Sequence, residues 1–246
     1  TLRGGLGGLV DRLAEALAAQ GAELRTGAAV DRLQRTPEGT RLWLGDEVLD
    51  ADAVILATGP AGAARLLAET EPAAAAALAA IPVASTTVVT LAYPADAFPG
   101  PVTSHGWLEA GPAPVSGITI SSAKWEARAP EDEVLVRAFV PDKVGALSKA
   151  SDDEILAAVQ GHVGALLGAR TAPVATWVHR WRRVMPKYTV GHPTRVRTVD
   201  EALEPSTWRV AGSALHGVGV PDCIADGRAQ AKAALAAVTT EPRITT

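Results

Sequence analysis

The stretch from Trp208 to Gly227 constrains this chain more than any other. It reads Trp208-Arg209-Val210-Ala211-Gly212-Ser213-Ala214, then Gly217-Val218-Gly219-Val220-Pro221-Asp222-Cys223-Ile224-Ala225-Asp226-Gly227. A short strand at 207–211 is expected to end in Ala-Gly, pass through a glycine-rich turn and start a helix at 222 or 223 that runs to 238. Such a helix start carries N–H groups without intrahelical acceptors and the positive end of the helix dipole. It suits a group with developing negative charge, such as a reduced flavin or a pyrophosphate. Pro221 fits the first helical turn, and Gly219 permits close backbone approach. An ordinary strand-to-helix turn would carry the same residues, so this segment alone leaves both readings open.

A second strand of the same kind lies upstream. The stretch 48–58 closes with the continuous apolar run Val54-Ile55-Leu56-Ala57 and is stopped by Thr58-Gly59-Pro60, the look of a strand buried on both faces. Before it, Leu6, Leu9, Val10, Leu13 and Leu17 form one helical stripe that Gly21 ends. Strand-like stretches follow at 22–26, 28–35 and 40–44, with a hairpin turn at 45–47. Two alanine-rich helices are expected at 61–69 and 73–80. After Pro82 the texture changes to strands broken by Gly and Pro at 85–93, 103–109, 115–122 and 133–140, an antiparallel pattern. Ser151-Asp152-Asp153-Glu154 is a capping box that opens a helix over 151–169, and 173–181 returns to strand alternation. The fold class expected is α/β plus α+β: 1–81 and 199–240 as pieces of one layer, and 82–198 as a separate antiparallel sheet.

Composition removes several function classes. The net charge is −4 and the isoelectric point about 5.7, without the basic excess that phosphate-backbone binding requires, so no nucleic-acid partner is expected. No apolar run approaches the ~20 residues of a membrane-spanning helix. Cys223 is the single cysteine, which excludes an internal disulfide and a thiolate metal cluster, and fits a reducing cytoplasm. At a helix N-terminus it could be a nucleophile, but without a fixed partner it reads better as a small packed residue. The five histidines show no metal-ligand spacing, and no metal is expected. The opening Gly4-Gly5-Leu6-Gly7-Gly8 follows no strand and precedes no Gly-Lys-Ser/Thr, so it reads as a turn before a helix. The run from Trp177 to Tyr188 mixes bases with aromatics; its tryptophans either fill a core or line a planar ligand. With Thr1 first and Met185 the sole methionine, a longer N-terminal part is expected.

Together these segments resemble the C-terminal half of the protoporphyrinogen/coproporphyrinogen oxidase family, oxygen-dependent FAD enzymes of haem synthesis in the flavin amine-oxidase superfamily. The resemblance rests on the Gly4-Gly5-Leu6 opening, the Ala53–Gly59 strand, Ile118-Thr119-Ile120-Ser121-Ser122-Ala123-Lys124-Trp125 with Ala129-Pro130-Glu131, and Arg180-Trp181 to Met185-Pro186-Lys187-Tyr188 with Gly191-His192. It is most specific in Gly217-Val218-Gly219-Val220-Pro221-Asp222-Cys223-Ile224. The resemblance implies that 1–81 and 199–240 are a partial, incomplete Rossmann-like FAD-binding domain and 82–198 the antiparallel-sheet substrate domain, with a strand containing Val30 against the adenosine end of FAD, Trp181 bordering the flavin, and Gly212, Val218, Gly219 and Val220 at the turn that meets the ring. It implies a porphyrinogen substrate, coproporphyrinogen III ahead of protoporphyrinogen IX, with Ile118 and Ile120 facing the macrocycle and molecular oxygen as the final acceptor. No catalytic side chain is assigned, because the cofactor carries the redox chemistry. The family's N-terminal glycine-rich FAD unit and its membrane-docking helical region have no counterpart here, so a fragment inactive alone is expected, from a cytoplasmic parent that touches the inner membrane face through the missing region. Other flavin amine oxidases or carotenoid desaturases, and a porphyrin- or partner-binding module without activity, are the competing readings.

Overall fold

The computed structural model describes residues 2, 5–142, 147 and 149–240; Gly4, part of the glycine-rich opening, lies outside them. The chain divides into two compact units. One, here the sheet unit, joins Thr1–Leu24 to Ser85–Arg182; the other, the turn unit, joins Arg25–Ala84 to Arg183–Thr246. In sequence the units change over at 84/85 and 182/183, and residues 1–24 group with the middle of the chain.

In chain order the elements are α1 (Gly7–Ala19), β1 (Arg32–Thr36), β2 (Gly39–Leu44), β3 (Glu47–Ala51), β4 (Val54–Leu56), α2 (Pro60–Leu67), α3 (Pro72–Ala79), β5 (Val83–Pro94), β6 (Gly106–Leu108) and β7 (Gly117–Ile120). They continue with α4 (Ser121–Lys124), β8 (Glu133–Pro141), α5 (Asp152–Leu167), β9 (Ala175–Pro186), α6 (His192–Leu203), β10 (Trp208–Val210) and α7 (Val220–Thr240).

In the turn unit β1, β2 and β3 form an antiparallel meander, while β4 pairs in parallel with β10. The expected strand over 48–58 is therefore two strands in two sheets. Its first part alternates and pairs in the hairpin; its apolar end leaves at Asp52 to pair with β10. The stretch 22–26 forms no strand, and the one expected over 28–35 begins only at Arg32, which leaves Val30 ahead of it. Pro60 and Pro72 occupy the first turns of α2 and α3, where the missing N–H costs nothing. Helix α6 was not expected; Gly191 caps it in the left-handed region and Val196, Val199 and Leu203 face inward. Arg209 closes its end by donating to the Leu203 carbonyl at 2.8 Å, a cation where the helix dipole is negative. The core gathers Leu33, Leu56, Leu67, Leu78, Val199, Leu203 and Trp208.

The sheet unit holds one five-stranded sheet in the order β6-β7-β8-β5-β9. One face carries Val89, Leu91, Ile118, Ile120, Val136 and Ala138, which share a core with Ile155, Val159 and Val163 of α5. The capping box is formed as expected: Ser151 Oγ accepts from the Glu154 N–H, and Glu154 accepts from the Ser151 N–H at 2.8 Å. The stripe of α1 makes a helix but none of its residues is buried among the described ones.

Candidate functional site

The site begins with register. Val54 lies beside Trp208, Ile55 beside Arg209 and Leu56 beside Val210, and Ala211 N–H donates to the Leu56 carbonyl at 3.0 Å. Both parallel strands therefore end together, in Ala57-Thr58-Gly59 and Ala211-Gly212-Ser213. Each leads into a helix start, α2 after Gly59 and α7 after the longer turn. Ligands of open α/β sheets bind in the crevice outside the carboxyl ends of the strands.

The turn from Gly212 to Gly219 is held from behind by side chains. Asp226, buried on α7, accepts from the Gly212 N–H at 2.7 Å, and its other oxygen lies 2.9 Å from His216 Nδ1. Gln230 also donates to that oxygen, at 3.3 Å. Tyr188 ties the turn at two points: its hydroxyl donates to the Ser213 carbonyl at 2.8 Å and accepts from the Gly217 N–H at 2.9 Å. The phenol stacks on buried His192 with centroids 3.9 Å apart, and His192 Nε2 reaches the Leu215 carbonyl at 3.2 Å. Burial, and after it the nearby Cys223 thiol and the Asp222 and Asp226 carboxylates, push the Tyr188 hydroxyl above its ordinary range although the Gly217 N–H pulls the other way. It stays a donor across the neutral range. Gly212 and Gly217 both have positive φ, 113° and 147°, and a Cβ on Gly217 would stand 2.5 Å from that of Asp222. Only glycine serves at these two positions.

In front, the turn shows apolar surface. Val218 is 63% exposed, and Val220 and Ile224 stand in solvent beside it. Nothing lies within 4 Å of the point where a Gly212 Cβ would be. Open backbone beside exposed aliphatic side chains fits the edge of a planar cofactor such as flavin. The helix start is less suited to an anion than its sequence implies, because Asp222 already occupies it and accepts from the Gly219 N–H at 3.1 Å. A flavin ring fits here better than a pyrophosphate.

The remaining expected site residues lie elsewhere. Val30 is half-buried against the first core, and its carbonyl accepts from Arg65 of α2 at 3.1 Å; it stands in irregular chain rather than in a strand. Trp181 belongs to the sheet unit, 46% exposed, with its ring tilted against His179 at 4.4 Å. Ile118 and Ile120 require correction. They are 2% and 0% exposed in the core shared with α5, so they present no surface to a macrocycle. They do share a face, as alternation demands, but it is the packed one. Sequence reasoning missed Tyr188, His192, His216 and Asp226. A signal was present in the four-residue spacing of Asp222 and Asp226, which puts two carboxylates on one side of an otherwise alanine-rich helix. Cys223 makes only a long contact to the Gly217 carbonyl. No group of metal-binding side chains occurs among the described residues, and none of their helices is long and apolar enough to cross a membrane.

The chain combines two parallel strands that end in glycine turns with an antiparallel sheet built from its middle. The flavin-containing amine oxidoreductase family matches residues 1–235, and the chain belongs to that family; the match supports FAD as the cofactor. The chain is 55% identical over 98% of its length to a curated coproporphyrinogen III oxidase of Propionibacterium freudenreichii, of which it covers 46%. It is 40% identical over 73% of its length to that of Mycobacterium leprae, covering 40% of it. A solved structure from Exiguobacterium, provisionally described as a protoporphyrinogen oxidase, superposes with a TM-score of 0.83 at 27% identity, over 98% of this chain and 52% of the other. The chain thus spans about half the length of the relatives it matches or less.

Proposed function

We propose that the protein containing this chain is an FAD-dependent porphyrinogen oxidase of haem synthesis acting on coproporphyrinogen III. The identity of 55% to a coproporphyrinogen III oxidase over 98% of the chain carries this reading. FAD would supply the chemistry, accepting two electrons in each of three dehydrogenations and passing them to oxygen with release of hydrogen peroxide. The chain's own residues bind and position. Gly212, Val218, Gly219 and Val220 offer open backbone and aliphatic surface to the flavin edge; Tyr188, His216 and Asp226 fix that turn from behind. Trp181 would border the flavin, and Val30 would lie toward the adenosine end. Among the described residues no nucleophile and base stand within hydrogen-bond reach of each other at the turn, as suits a site whose redox chemistry belongs to the cofactor. The site would work in the cytoplasm, with the parent protein resting peripherally on the inner membrane face; these residues without the rest of the parent would be inactive.

The whole natural polypeptide, purified with its flavin, is to be given coproporphyrinogen III, protoporphyrinogen IX, an amine and a carotenoid precursor in parallel. Porphyrin fluorescence should rise fastest with coproporphyrinogen III, with three equivalents of peroxide per porphyrin. Turnover of the amine or carotenoid without porphyrin formation would overturn the reading, and a protein that binds porphyrin without turnover would mark it as a binding module. Assayed alone, the 246-residue chain should show no turnover.

A further inference from the structure

The face of the five-stranded sheet turned away from α5 has a charged centre. Along β8 the buried residues Val134, Val136, Ala138 and Val140 alternate with half-buried Leu135, Arg137 and Phe139, so Arg137 stands on the open face. Register puts it between Thr90 of β5 and Thr119 of β7, both half-buried and about 5 Å away as direct cross-strand neighbours. Its guanidinium sits over the Phe139 ring, 5.6 Å from the centroid. It has no carboxylate or other hydrogen-bond acceptor among the described residues. On the edge strand β9, which lies beyond β5, Val178 packs on the core side, which turns Trp177, His179 and Trp181 to the open face; both tryptophans are exposed.

A half-buried guanidinium without a counter-ion has lost part of its hydration and keeps a fork of donors unused. Two threonine hydroxyls flank it, and exposed indoles share its face. A flat apolar molecule that ends in a carboxylate satisfies all of these groups at once: the plane lies along the tryptophans and the carboxylate pairs with the fork. We infer that Arg137 is the receptor for a substrate carboxylate, and that the open face of the sheet, not Ile118 and Ile120, is the substrate wall. The inference rests on the porphyrinogen reading, because it takes the carboxylate to be a propionate. It also bears on specificity, since coproporphyrinogen III carries four propionates and protoporphyrinogen IX two.

The test uses the whole flavin-loaded enzyme with Arg137→Gln and Arg137→Lys. Arg137→Gln should raise KM for coproporphyrinogen III tenfold or more, with kcat within about threefold and an unchanged flavin absorbance spectrum. Arg137→Lys, which keeps the charge but not the fork, should recover part of the loss. Should Arg137→Gln fail to accumulate, Arg137→Lys alone decides: KM raised severalfold supports the inference, and a wild-type KM overturns it. Unchanged KM in a folded Arg137→Gln enzyme likewise overturns the carboxylate receptor while the wild type still oxidises porphyrinogen. A wild type that oxidises no porphyrinogen overturns the functional reading itself, and this inference with it.

Discussion

Asp226 shows how much of the glycine turn depends on one side chain. It is buried, and it accepts from the Gly212 N–H, from His216 and from Gln230. Replacing it with alanine takes the acceptor from one backbone donor and two side-chain donors, at about 1–3 kcal/mol for each group left buried and unsatisfied. Asp226→Ala should lower the urea midpoint of the chain and the flavin content of the whole enzyme; equal values for both would remove the turn-holding role. Tyr188→Phe is milder, because the ring still stacks on His192 while the links to Ser213 and Gly217 are lost. This phenol has a raised pKa, so its protonated form is favoured by folding. The stability it contributes is fully present below about pH 10, the ordinary phenol value, and is lost as pH rises through the folded value. Tyr93, raised by burial, acts in the same direction and window. Alkaline titration followed by circular dichroism should show loss of structure steepening above about pH 10, less so in Tyr188→Phe. These tethers were hard to read from sequence because Tyr188 and Asp226 meet only when residues far apart in the chain fold onto one turn.

Elements were legible where a local signal decides them. The Ser151-to-Glu154 box writes its own geometry within four consecutive residues, and the helix it predicts is the helix observed. Ser151→Ala should cost about 1 kcal/mol of stability, the usual worth of such a cap, read as a lower urea midpoint. Glu154 is held below the ordinary carboxylate range by the Ser151 N–H and hydroxyl. Its contribution is present above the unfolded value near 4 and is lost as pH falls through the folded one. The alanine variant should therefore lose less stability than the wild type on acidification through that window. The stretch 48–58 was misread for the opposite reason. Its β propensity is continuous, but the partners differ: Leu49 pairs with Leu42 in the hairpin, Leu56 with Val210. Nothing local marks the bend at Asp52. Ile118 and Ile120 failed likewise: alternation put them on one face, and only the position of α5 decides which face is packed.

At the scale of the whole chain, the two units differ in how they are encoded. The sheet unit's core is drawn from Val89 to Val163, with Val178 packed against it, and all five strands lie between Val83 and Pro186. That segment is about 100 residues long, enough for an independent core. The turn unit is assembled from two separated segments. Leu33, Leu56 and Leu78 come from the first; Val199, Leu203, Trp208 and Leu215 come from the second. Expressed alone, residues 83–186 should unfold in one cooperative thermal transition and resist limited proteolysis. A chain ended at Pro186 should be cleaved readily within 25–84, because β4 then lacks its partner β10 and the core lacks Trp208. Trp208→Ala in the intact chain makes the same point with one residue. The indole is fully buried and donates to Thr40, so its loss removes about 3–5 kcal/mol from a core that both segments build. Hydrogen exchange should then quicken in β1 through α3 as well as around β10. Exchange that quickens only next to Trp208 would mean that the first segment holds its fold without the second.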